Sequence, residues 1–269
     1  MPLVFACSVS HTPGIRAWAD APEPGQKDRL YAGFEALRER MEAANPDSIL
    51  IISSEHFANF FLDCMPAFTM GQADSYFGPV EPWVKIEQGF NAGDPELSER
   101  LLNACYEAGI ELNYAHEMKL DHGTMIPLSF LDPARKLPVV PLIINAMTYP
   151  MPKQRRCYEL GQALGNALDK ETRRVAVVAA GGLSHAPGER IHGNIDSEFD
   201  EEFIRRLVAN DVDAFTSYTD EEIEQLGLGT HEIRAWVAVA GIAEGRQAKP
   251  LFYEPITAWA TGCGLLYYE

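Results

Sequence analysis

The sequence predicts an α/β protein with a largely parallel central sheet flanked by helices. Two observations carry this. Short apolar runs rich in branched residues occur at 3–9, 48–53, 137–145 and 174–180. They are nearly continuous rather than alternating, as strands covered on both faces are. Amphipathic segments of helical period lie between them, and strands alternating with helices in this way build parallel sheets.

Taken in order, the first strand run is followed by a helix over 26–44, which carries Leu30, Phe34, Leu37 and Met41 at three- and four-residue spacing. The second run leads into 57–93, which is broken by Pro66, Gly71, Gly78, Pro79 and Pro82 among many aromatics and reads as an insertion covering a site. A helix over 94–109 opens on Asp-Pro and closes on Gly. Helices over 152–168, 197–209 and 231–244 complete the pattern. With no repeat, linker or low-complexity tract, residues 1–269 read as a single catalytic domain.

Composition narrows the function classes. Of 269 residues, 23% are charged and 46% apolar, which is enough to bury a core. Lys and Arg number 22 against 39 Asp and Glu, a formal charge of −17 that repels phosphate backbones and anionic lipid. Nucleic acid and membrane are therefore excluded as partners. Cys7, Cys64, Cys105, Cys157 and Cys263 form no CxxC pair and read as small core residues in a reducing, cytoplasmic setting.

Of the seven histidines, three share a context. His11 follows the first strand, His56 the second, and His185 the Gly181-Gly182-Leu183-Ser184 turn after 174–180. All three fall beyond the carboxyl end of a strand, the edge where ligands bind in open α/β sheets. Glu232 heads a helical stripe of Ala235, Trp236, Val239, Ala240 and Ala243. A carboxylate at the head of an apolar stripe is costly to bury unless a cation meets it. Two imidazoles and one carboxylate make the facial triad that suits iron(II) and leaves positions open. Spacing alone does not say which two of the three histidines would be ligands. His122, in Asp121-His122-Gly123, is a further candidate, while His116, His192 and His231 read as ordinary.

These residues carry a resemblance. Ser-His-Thr-Pro at 10–13, Glu55-His56, Asp121-His122-Gly123, Gly-Gly-Leu-Ser-His ending at His185, Glu232 with Trp236 four residues on, and Gly-Asp-Pro-Glu-Leu at 93–97 occur in this order. The chain resembles the type III extradiol ring-cleavage dioxygenases, the family of the protocatechuate 4,5-dioxygenase catalytic subunit and of gallate dioxygenase. The resemblance implies that His11, His56 and Glu232 bind Fe(II), with manganese as a substitute not distinguished. It implies that His185 and His122 flank the open face as acid-base groups. Such an enzyme cleaves a catechol-type diol or aminophenol with O2 to a hydroxymuconic semialdehyde-type product. One proton must be taken from the diol and one delivered when the O–O bond breaks, and His185 is the candidate base.

Thr12 and Thr257 are candidate substrate contacts. The stretch Glu254-Pro255-Ile256-Thr257 is poor in cations, which favours a substrate without a carboxylate there. A homo-oligomer is expected, with a small accessory subunit as a separate chain if one is needed. The rival expectations are a zinc-dependent hydrolase, weakened by the lack of an HExxH helix, and a non-catalytic metal-binding scaffold.

Overall fold

The structure, a computed structural model, describes residues 2–269. Ten strands form: β1 (Leu3–Val9), β2 (Ser48–Ser54), β3 (Phe68–Gly71), β4 (Ser75–Gly78), β5 (Gly89–Ala92), β6 (Asn113–Ala115), β7 (Val139–Ile144), β8 (Val175–Ala180), β9 (Ala248–Ile256) and β10 (Thr261–Tyr268). Eight of them make one sheet in the order β6-β3-β7-β2-β8-β1-β10-β9, and β4 and β5 pair as a separate ribbon. The central four, β7-β2-β8-β1, are parallel. Antiparallel β3 closes one side and the β10-β9 pair the other. The expected largely parallel sheet flanked by helices is therefore present.

Side-chain alternation along the strands divides the core in two. Leu50 and Ile52 of β2 face the helices Pro95–Glu107, Gln154–Leu168, Ser197–Val208 and Ile233–Ile242. Ile49 and Ile51 face Leu30, Phe34, Leu37 and Met41 of the helix Gln26–Ala44, together with Met125 and Ile126 of the helix His122–Leu131. Both faces of the sheet are covered, which is why these strands read as continuous apolar runs.

Several elements were not legible from periodicity. Strands β3 to β6 have three or four residues each, too short for a period-two signal. In β9, Pro250 and Pro255 obscure the strand, and both are tolerated because β9 is the sheet edge. The expected helix over 231–244 begins instead as a 3-10 turn, Leu228–Glu232, before the α-helix Ile233–Ile242. Four cysteines are buried as expected, but Cys64 is exposed, lying in the irregular segment that leaves the sheet after β2.

The helix Ile233–Ile242, which Glu232 immediately precedes, is set against the helix Gln154–Leu168 by glycine contacts. A Cβ on Gly161 would fall on the carbonyl oxygen of Ala238, well inside van der Waals contact. Gly161→Ala should therefore destabilise the fold by about 1–3 kcal/mol. Urea unfolding checks this, and an unchanged midpoint would mean that the two helices can separate without cost.

Candidate active site

Parallel register brings the strand ends level. Val9 of β1 pairs with Ala180 of β8, Ile52 of β2 with Ala179, and Ser54 with Ile144 of β7. His11, His56 and His185 therefore leave the sheet at one edge. Two helices start at the same edge from opposite faces of the sheet. One is capped by the Asp121 side chain, which accepts from Thr124 N at 3.3 Å, and begins with His122. The other begins directly after Glu232. Helix starts carry partial positive charge and favour carboxylates such as these.

Glu232 is 2% exposed. Its Oε2 lies 3.1 Å from His11 Nε2 and its Oε1 lies 3.0 Å from His56 Nε2. Gly182 N donates to Oε2 at 2.5 Å and Ser54 Oγ to Oε1 at 3.1 Å. Burial works against the ionised carboxylate, but the imidazoles of His11 and His185 and these hydrogen bonds hold it well below the usual range. It is a carboxylate, not an acid.

The Nδ1 of His56 meets Asp121 Oδ2 at 2.8 Å. If Nδ1 carries the ring proton, a neutral His56 turns the lone pair of Nε2 onto a Glu232 oxygen, acceptor against acceptor. A positive charge between them is needed, either a second proton or a metal ion. Burial opposes the second proton, yet the flanking Asp121 and Glu232 carboxylates raise the imidazole well above its ordinary range. The same demand is met by a cation. Donors bound cis at about 2.1 Å from one ion stand about 3 Å apart, and each imidazole stands at about that separation from one of the two Glu232 oxygens. The donor set thus fits a divalent metal. His122 also offers a nitrogen within 4.8 Å of those of His11 and His56.

His185 and His122 are held differently. His185 Nδ1 lies 2.8 Å from the carbonyl of Leu183, which can only accept, so Nδ1 bears a proton, and Nε2 lies 3.8 Å from Glu232 Oε2 on the cavity side. Its ring is slotted between Gly182 and Gly229, where a Cβ on either glycine would collide with the imidazole. His122 Nδ1 meets Glu81 Oε1 at 2.7 Å. Burial and the neighbouring His56 lower the His122 pKa, favouring its neutral form.

A cavity of about 520 Å³ opens over these groups, lined by all five together with Thr12. Thr257, the other expected substrate contact, is exposed and lies outside this cavity. His192, read as an ordinary loop residue, stands on the cavity wall. His231 is fully buried beside Glu232, where its Nδ1 accepts from Arg234 at 2.6 Å.

The family model described as the catalytic LigB subunit of aromatic ring-opening dioxygenase matches residues 5–264. The chain belongs to this family. A 2,3-dihydroxyphenylpropionate/2,3-dihydroxicinnamic acid 1,2-dioxygenase of Photorhabdus laumondii is 28% identical over 305 aligned positions, covering 96% of this chain and 94% of its own. The enzyme of the same name from Cupriavidus necator is 29% identical over 318 positions, covering 100% and 99%. The crystal structure of an uncharacterized protein from Escherichia coli K12 superposes with a TM-score of 0.62 at 16% identity, covering 98% of this chain and 99% of that one, and shares the fold.

In this LigB-family chain the residues that sequence reasoning missed are those whose role is to hold another side chain. Glu81 comes from the irregular segment expected to cover a site, and it does so by meeting His122. Asp200 ties down the loop bearing His185, accepting from Ser184 N at 2.8 Å, Ser184 Oγ at 2.9 Å and Tyr253 OH at 2.9 Å. None has a signal in sequence, because each partner lies more than ten residues away.

Two outcomes follow from these contacts. Asp121→Asn keeps a helix-capping side chain but removes the charge behind His56, so affinity for a divalent metal should fall roughly ten- to a hundredfold by calorimetric titration. Unchanged affinity would show that Asp121 does not support the site. Burial raises the Asp200 pKa from 3.8 to about 6, so its contribution to stability is full below pH 4 and is lost as pH rises towards 6. Between those limits the wild type should lose on the order of 3 kcal/mol relative to Asp200→Asn in chemical unfolding; parallel pH dependences would contradict this.

Proposed function

We propose that this enzyme is an extradiol dioxygenase holding one iron(II) on His11, His56 and Glu232 and opening the ring of a catechol-type diol or an aminophenol with O2. The observation that carries the reading is the Glu232 carboxylate bracketed by the two Nε2 atoms at 3.1 and 3.0 Å, beside a third histidine held at its Nδ1 by the Leu183 carbonyl. Iron(II) on two imidazoles and a carboxylate offers open positions for both diol oxygens and for O2, and a route for electrons between them.

The side chains then divide the proton work. His185 accepts a proton from the diol at Nε2, since its Nδ1–H is already given to Leu183. The resulting imidazolium faces Glu232 Oε2 at 3.8 Å, which stabilises it. His122, whose neutral form burial favours and whose Nδ1 is held by Glu81, keeps Nε2 as a second acceptor that would take a substrate proton and could return it later in the reaction. Thr12, beside His11 in the lining, contacts the ring.

The family assignment weighs against the zinc-hydrolase reading, and the presence of all five site residues around one cavity weighs against a non-catalytic scaffold. Residues 1–269 are read as one catalytic domain. Five free cysteines support a reducing, cytoplasmic setting.

The test is oxygen uptake by anaerobically purified, iron(II)-loaded protein on a panel of catechols and aminophenols, with the coloured ring-opened product followed alongside. His185→Gln and His122→Gln should each lower kcat roughly 10²–10⁴-fold while keeping iron. His11→Ala, His56→Ala and Glu232→Ala should lose the metal. No uptake on any substrate despite one tightly held iron per chain would refute the proposal.

A further inference from the structure

The five groups assigned above occupy only the floor of the cavity, and its walls bear on what else the substrate carries. One wall is aromatic. Trp259 packs so closely on Gly14 that a Cβ there would enter its indole, and its Nε1 donates to the Trp18 carbonyl at 2.9 Å. Trp18 stacks on Trp83 at 5.8 Å between ring centroids, and Trp83 lies 6.3 Å from the His122 ring. Trp259 and Trp18 line the cavity itself, and Trp83 lies behind Trp18, on the side towards His122. Trp18 and Trp83 are 57% and 49% exposed, a large apolar area left uncovered beside a cavity. Opposite, Leu228 and Pro187 line the side on which Gly229 meets His185.

Charge points the same way. Among the described residues, no Lys or Arg lines this cavity. Its sole titratable lining group besides the five is His192, whose Nδ1 is turned to the carbonyl of Ala186 at 3.3 Å. A carboxylate brought here would lose water without gaining a fixed cation, in a chain whose formal charge is −17. An alkyl or aryl group would cover Trp18 and gain from leaving water.

Resting on the ring-cleavage reading, we propose that the substrate's ring substituent is uncharged and apolar and is seated on Trp259 and Trp18, the latter backed by Trp83. Alkyl- or aryl-substituted catechols are then preferred over catechols whose side chain ends in a carboxylate. This separates the chain from the relatives named above, whose names give a substrate, 2,3-dihydroxyphenylpropionate, that ends in one.

Shape-matched pairs test this, because a propyl and a propionate side chain differ little in size but wholly in charge. Catechol, 3- and 4-propylcatechol and the two corresponding dihydroxyphenylpropionates are compared on the iron-loaded enzyme by kcat/KM. Their binding without oxygen is read from quenching of tryptophan emission. The better propylcatechol should exceed its propionate partner by about tenfold or more in both readouts. Trp18→Ala should raise KM for that propylcatechol about tenfold. A propionate that binds and turns over as well as its propyl partner overturns the inference while leaving ring cleavage intact. Failure of all five compounds, catechol included, overturns the ring-cleavage reading and this inference with it.

Discussion

The site depends on one electrostatic demand, that a carboxylate almost without solvent contact be met by positive charge. Glu232 sits where an apolar helix begins and accepts from the backbone of Gly182 and the hydroxyl of Ser54. Those neutral donors soften the cost of burying it but do not cancel its charge. The two imidazoles facing its oxygens cannot both be neutral and favourable, since His56 has Asp121 behind it as well. A divalent ion among the three would resolve the conflict and would link metal binding to local stability.

The sheet makes this arrangement possible. Its central strands are parallel, so their carboxyl ends finish level and deliver His11, His56 and His185 to one edge. Helices from opposite faces then bring His122 and Glu232 from either side. An antiparallel sheet would have put successive strand ends at opposite edges. The glycines here are requirements of close approach. Gly182 and Gly229 leave room for the His185 ring, and Gly123 leaves room for His56.

Fixed tautomers give the histidines their different capacities. Each has a different partner behind it: a carboxylate for His56, a backbone carbonyl for His185, and Glu81 for His122. A carbonyl leaves His185 able to take a proton and return it, because neither state of the ring loses that hydrogen bond. Asp121 instead raises the basicity of the nitrogen on the far side of the His56 ring, which suits a metal ligand. A backbone carbonyl behind His185 and carboxylates behind His56 and His122 thus give chemically identical rings different settings.

The sequence by itself determined the parallel core and a histidine-lined edge fit for a metal, while the class of chemistry came from the family resemblance. Buried strands read as continuous apolar runs, and a histidine just past such a run must lie at the ligand-binding edge. Local pattern was enough there, because each signal lies within one element and its flanks. The tertiary structure alone decided that Glu81 holds His122, that Asp200 holds the Ser184 loop, that His192 joins the cavity wall and that Thr257 stays outside it. It also decided the edge pair β9-β10 and the short strands β3 to β6, which have too few residues or too many prolines to announce themselves. These outcomes rest on contacts between residues far apart in the chain, and no periodicity encodes which distant side chain will stand behind another.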